Sequence, residues 1–193
     1  FWNGGQGGNS GSGGSNNDGT WSAMNGAGDG NWGNADGTQS TPWNNGSYAV
    51  FQGDAGTVTI SDKDSNGNPA PVEASGMQFA NTDGKTYVVT GDDLYASNST
   101  TVIRVGDGTS AGASITGKLD TVINDSKVPG GTSLEKTDAG TLIITKDQNY
   151  RGSTNIDGGT IQLGDGGTSG RLPDGTAIHN NGSLVIDHSD DVD

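Results

Sequence analysis

Four short runs in this sequence share one shape, and their spacing limits what the chain can fold into. They are Gly56-Thr57-Val58-Thr59-Ile60, Gly140-Thr141-Leu142-Ile143-Ile144, Gly159-Thr160-Ile161-Gln162-Leu163 and Gly182-Ser183-Leu184-Val185-Ile186. Each sets small or polar residues against apolar ones with the period of a half-buried strand. The last three begin at steps of 19 and 23 along the numbering, and the step of 84 from Gly56 to Gly140 equals four of 21. Met77 to Ala80, Thr86 to Thr90 and Thr101 to Val105 are further strand-like runs inside that gap, and Thr57 to Thr101 is twice 22. A recurrence of about 21 residues predicts a repeat architecture. A unit of three short strands and three turns, stacked as a parallel β-helix, has that length. Each strand then pairs with its equivalent one lap above and below.

Composition agrees once this geometry is assumed. Leu, Ile, Val and Phe supply 31 of 193 residues and the formal charge is −14, a combination that otherwise points to disorder. A coil with a narrow interior needs only two or three large apolar residues per strand. Thr, Asn and Asp cover its outside, and many of the 36 Gly serve turns that need positive φ. Disorder gives no reason for runs at a fixed spacing. Ile115, Leu119, Val122 and Ile123 have helical spacing, but β-branching and Gly117 weaken a helix, so this segment is read as strand.

Residues 1–47 differ from 48–193, which are assigned to the coils. The first segment is mostly Gly, Asn, Ser and Asp, yet it holds all four Trp: Trp2, Trp21, Trp32 and Trp43. A flexible linker would leave four large apolar faces in water. An irregular, Trp-pinned cap that covers the open N-terminal strand edges is expected instead. The acidic end, Asp187 to Asp193, has no such cap and reads as a cut through a longer stack. Phe1 is not an initiator Met and no basic-then-apolar leader precedes it, as in a mature or excised chain.

Several classes are excluded. Without Cys there is no disulfide framework and no thiolate metal site. No run approaches the roughly 18 apolar residues of a membrane span. A charge of −14 opposes nucleic acid and anionic lipid.

Few residues carry candidate chemistry. Asp62, Asp64, Asn66, Gly67 and Glu73 fit the D-x-[DN]-x-[DN]-G-x5-E calcium loop, whose alternate oxygen ligands and distal carboxylate wrap one Ca²⁺. No helices flank it, and Pro69 and Pro71 remove two backbone donors; the alternative is an ordinary polar loop. Gly108-Thr109-Ser110-Ala111-Gly112 spells G-x-S-x-G, but a nucleophile elbow needs a strand-turn-helix and a His partner, and His179 and His188 lie far along the chain. The adjacent pairs Asp92-Asp93 and Asp190-Asp191 point to opposite faces of a strand, so neither supplies two converging carboxylates. The four Trp could stack on sugars or anchor a protein, but filling a cap is the favoured use.

The stretch Leu134-Glu135-Lys136-Thr137-Asp138-Ala139-Gly140-Thr141-Leu142, followed by Asn149-Tyr150-Arg151-Gly152-Ser153-Thr154, Gly158-Gly159-Thr160-Ile161-Gln162-Leu163-Gly164-Asp165-Gly166 and Asn180-Asn181-Gly182-Ser183-Leu184, resembles the passenger-associated, or autotransporter-associated, β-strand repeat. The resemblance spans residues 134–190, and Ala49-Val50-Phe51, Gly76-Met77-Gln78-Phe79-Ala80 and Arg104-Val105-Gly106-Asp107-Gly108-Thr109 look like the upstream part of such passengers. It implies a monomeric (type V) autotransporter passenger of a Gram-negative bacterium, folded as a right-handed parallel β-helix and exported to the cell surface by a β-barrel outside this chain. It further implies a non-catalytic adhesin that binds host matrix protein or glycan, or self-associates in aggregation and biofilm. No cofactor is required beyond the Ca²⁺ candidate, and this segment inserts in no membrane. A passive spacer for a distal domain is the alternative reading, and a carbohydrate-active β-helix enzyme a more remote one.

Overall fold

A computed structural model describes residues 1–4, 17–23, 30–35, 39–64 and 66–190. The N-terminal segment contains β1 (Gly19–Ser22), β2 (Trp32–Gly33) and β3 (Ser40–Thr41). Three laps of three strands follow. They are β4 (Tyr48–Gly53), β5 (Thr57–Ser61) and β6 (Glu73–Ala74); β7 (Gly76–Asn81), β8 (Thr86–Gly91) and β9 (Leu94–Ala96); and β10 (Thr100–Val105), β11 (Thr116–Asp120) and β12 (Ile123–Asn124). Three laps of two strands come next among the described residues: β13 (Ser133–Thr137) and β14 (Thr141–Ile144), β15 (Thr154–Ile156) and β16 (Thr160–Gly167), β17 (Ile178–Asn180) and β18 (Ser183–His188).

Like strands stack into walls. The first wall runs β4-β7-β10-β13-β15-β17, the second β1-β5-β8-β11-β14-β16-β18 and the third β6-β9-β12. Every pairing in these walls is parallel, and the β2–β3 hairpin is antiparallel. The molecule is an all-β solenoid, a parallel β-helix.

Its core is a set of inward rows, one residue per lap. On the second wall Tyr87, Gly117, Leu142 and Ile161 stack in one row, and Val58, Val89, Leu119, Ile144 and Leu163 in the next. On the first wall the row is Ala49, Met77, Ile103, Lys136 and Ile156. Alternation on a strand explains why so few large side chains suffice: every second residue faces in, and its neighbours are its own equivalents.

The lap is not constant in length, contrary to the single period expected. Thr57 pairs with Val88, Thr86 with Thr116, Thr116 with Thr141, Thr141 with Thr160 and Thr160 with Ser183. Successive laps therefore advance the numbering by 31, 30, 25, 19 and 23, and three laps, not four, separate Gly56 from Gly140. Excursions at the corners supply the excess. An antiparallel Lys63–Pro69 bridge closes one excursion, and a 3₁₀ turn, Ser110–Ser114, precedes β11. Thr57 and Thr101 lie on different walls, so the interval between them is not a multiple of the lap. Ile115 to Ile123 forms β11 and the start of β12, with Leu119 and Ile123 fully buried.

The third wall ends at β12 among the described residues, and Gln148 takes over one lap down. Its Oε1 accepts from the Ile123 N–H at 2.9 Å, and its Nε2 donates to Thr121 O and Lys146 O at 3.0 Å each. The carboxamide thus presents a donor and an acceptor to the strand above, as a peptide group would.

The N-terminal segment adds one more lap. Trp2 N–H donates to Val50 O on the first wall, β1 pairs with β5 on the second, and Gly46 N–H donates to Glu73 O on the third. It is less irregular than its composition implies, because β1 is an ordinary rung of the second wall.

Candidate functional site

The four Trp close the lumen. Trp2, Trp21 and Trp43 each stand over a different wall, and Trp32, on the β2–β3 hairpin, fills the space between them. Its ring centroid lies 5.1, 5.0 and 4.5 Å from those of Trp2, Trp21 and Trp43, and 5.7 Å from Phe51 in the lap below. All four are at most 6% exposed. Trp2 Nε1 donates to Asn17 O at 2.8 Å and Trp43 Nε1 to Glu73 O at 3.1 Å. Sugar stacking requires an open ring face, and here the rings pack edge-on or tilted against one another. The four side chains belong to the buried core.

The Asp62–Glu73 loop does not gather its acids. Asp64 Oδ1 accepts from the Asn66 and Asn68 N–H groups at 2.8 and 2.9 Å, and Oδ2 from Asn68 Nδ2 at 3.0 Å. Those bonds from Asn68, with help from Asn66, hold the Asp64 carboxyl below the usual range. Glu73 Oε1 instead meets Lys127, whose Nζ also sits 5.0 Å over the Tyr95 ring. Among the described residues no three His, Asp or Glu side chains are placed to hold a metal. In this arrangement Asp64 is engaged within the loop and Glu73 outside it.

The other candidates are dispersed. Ser110 begins the exposed 3₁₀ turn, whereas His179 and His188 sit on β17 and β18. Three rungs separate them, about 14 Å at the spacing of adjacent strands, and the two His occupy different walls. Asp92 Oδ2 accepts from Asp62 N–H at 3.0 Å and Asp93 Oδ2 from Asn124 Nδ2 at 2.9 Å, so each pins a separate corner. Asp190 pairs with Arg171 at 2.8 Å; Asp191 lies outside the described residues.

The residue that sequence reasoning passed over is Lys136. It is fully buried, in the inward row between Ile103 and Ile156. Its ammonium donates to Thr137 O at 3.0 Å, Asp138 O at 2.7 Å and Gly158 O at 3.0 Å. Burial pushes the Lys136 pKa down to about 8, against the opposing charge of Asp138. Strand alternation carried the signal: Leu134 and Lys136 share a face, so an inward Leu134 requires an inward lysine.

The outward side is regular. Thr86, Thr116, Thr141, Thr160 and Ser183 stack as one row of hydroxyl side chains along the second wall. No helix among the described residues is long and apolar enough to cross a membrane.

Residues 134–163 match the passenger-associated-transport-repeat family. That stretch runs from β13 into the first half of β16, so it holds both Lys136 and the Gly158 carbonyl it binds. A stacked parallel β-helix carrying this repeat is an autotransporter passenger, a class exported through the outer membrane to the bacterial cell surface. The adhesin BmaC autotransporter of Brucella suis biovar 1 (strain 1330) is 39% identical over 152 residues, which cover 76% of this chain and 4% of that protein. The chain thus spans a small part of its relative's length. No solved structure matches it.

Proposed function

We propose that this chain is a segment of a cell-surface adhesin and acts by binding, without catalysis. The observation that carries the reading is its 39% identity to a passenger named as an adhesin. The fold supports it physically. Rows such as Thr86-Thr116-Thr141-Thr160-Ser183 repeat one polar group at each rung, and parallel pairing along the stack holds them rigid. A partner that meets such a face pays little ordering entropy on the adhesin's side. Many copies on one cell then add avidity to weak single contacts. The partner is a host matrix protein, a neutral glycan or another passenger. The charge of −14 disfavours sulfated, heparin-like chains.

The test is a binding panel of immobilised matrix proteins and neutral glycans, with a cell-aggregation assay. Cells display the full passenger with or without this segment. Loss of adhesion or aggregation on removing the segment, together with binding by the purified segment, supports the reading. Unchanged adhesion with no binding by the segment makes it a passive spacer. Turnover of a uronic-acid polymer by the purified segment would make it an enzyme.

A further inference from the structure

Apolar alternation does not by itself fix how one lap stacks on the next. The runs beginning at Gly56, Gly140, Gly159 and Gly182 have interchangeable patterns, and a slip of two residues returns every side chain to the same face. The molecule contains such an offset. Thr57 lies opposite Val88, not Thr86, whereas Thr86, Thr116, Thr141, Thr160 and Ser183 are in phase. Something other than pattern must choose the phase below β13.

We propose that Lys136 is a register lock for the laps of the repeat. Its ammonium joins the corner of its own lap, through Thr137 O and Asp138 O, to the same corner of the next lap, through Gly158 O. The corner is built to bring the three carbonyls together. Asp138, at φ 65°, is the one non-glycine residue with positive φ among those described, and its carboxylate is held by Arg104 Nε at 3.0 Å. Gly159, at φ 63°, lies so close that a Cβ there would stand 2.6 Å from Lys136 Nζ.

A two-residue slip of β16 on β14 would carry the Gly158 carbonyl about 7 Å along the wall. One N–H of a buried ammonium would lose its acceptor, which costs more than losing a neutral bond. An apolar side chain at this position would accept either phase. The lysine therefore discriminates between stackings that the apolar rows leave nearly equal, as single buried polar groups do in coiled coils.

The chain has no Cys, so engineered pairs can report register. Ile143 and Gln162 are cross-strand partners on the outward side of β14 and β16. Ile143→Cys with Gln162→Cys reports the native phase. Ile143→Cys with Thr160→Cys reports the slipped one, because its Cα atoms come within disulfide reach of about 7 Å only after a two-residue shift. Each pair is refolded and oxidised with Lys136 and with Lys136→Met.

With the lysine, only the native pair should bridge. With methionine the chain should fold to a similar content of β-structure while the slipped disulfide rises about tenfold or more. A folded methionine chain that bridges only the native pair overturns the proposal. So does a methionine chain that does not fold, because the lysine would then be a requirement for stability and not a choice between registers.

Discussion

At the scale of single residues, the solenoid tolerates little change wherever two rows meet inside it. Gly117 lies in the inward row between Tyr87 and Leu142, and a Cβ there would come within 2.3 Å of the Phe79 ring. The aromatic ring of the first wall occupies the space that the second wall leaves open. Gly117→Ala should destabilise the fold by about 1–3 kcal/mol, the usual cost of overpacking, seen as a lower urea midpoint at an unchanged slope. Lys136 sets a different demand, read through pH. Its folded pKa of about 8 lies below the unfolded value. Between about pH 8 and 10 the unfolded chain therefore binds more protons, and stability rises with pH. Tyr48 and Tyr150 oppose this at higher pH: burial pushes both up to about 12, so the folded state keeps protons that the unfolded chain gives up above pH 10. The unfolding free energy from urea titrations should climb from pH 8 by an amount on the order of 2 kcal/mol, peak near pH 10 and fall beyond it. Lys136→Met should abolish the climb and keep the fall. A flat profile between pH 8 and 10 would refute the buried charge.

At the scale of elements, strands were legible and laps were not. The Gly-Thr-apolar runs identified β5, β14, β16 and β18 because alternation and a preceding turn are local properties of the chain. Lap length depends on which wall a run belongs to, and nothing within Met77 to Ala80 or Thr101 to Val105 says first wall instead of second. The corner excursions at the Lys63–Pro69 bridge and Ser110–Ser114 then lengthen laps without disturbing the strands they join. The spacing of the calcium motif is likewise local, whereas the partner of Glu73 is Lys127, two laps further along. Lys136 was overlooked because a charge is expected to face water, although its place beside Leu134 on a strand said otherwise. Gln148 was invisible, since a side chain that substitutes for a strand has no periodic signature. It is 5% exposed and satisfies backbone groups at Ile123 and Thr121. Gln148→Ala leaves those two groups without partners and should cost about 1–3 kcal/mol. Hydrogen exchange should locate the loss, with the Ile123 amide losing protection ahead of its neighbours on β11. Equal protection in the variant would mean that the carboxamide does not serve as a strand.

At the scale of the whole molecule, each lap touches the laps above and below it, so stability is a sum of neighbouring interfaces and not the property of one central core. The ends then matter more than their share of residues. Trp32 sits where the lumen would otherwise open to water, against Trp2, Trp21, Trp43 and Phe51. Because all four Trp of the chain are in this cap, intrinsic fluorescence reports the cap alone, while far-ultraviolet circular dichroism averages every strand. Trp32→Ala removes a large buried side chain, a change that costs about 3–5 kcal/mol in a packed core. In a stack coupled only through neighbours, that loss should fall mainly on the first laps. The midpoint from the remaining Trp fluorescence should drop well below that from circular dichroism, and the gap should be larger than in the unmodified chain. Two midpoints that fall together by the same amount would show that the cap and the most distant laps unfold as one cooperative unit.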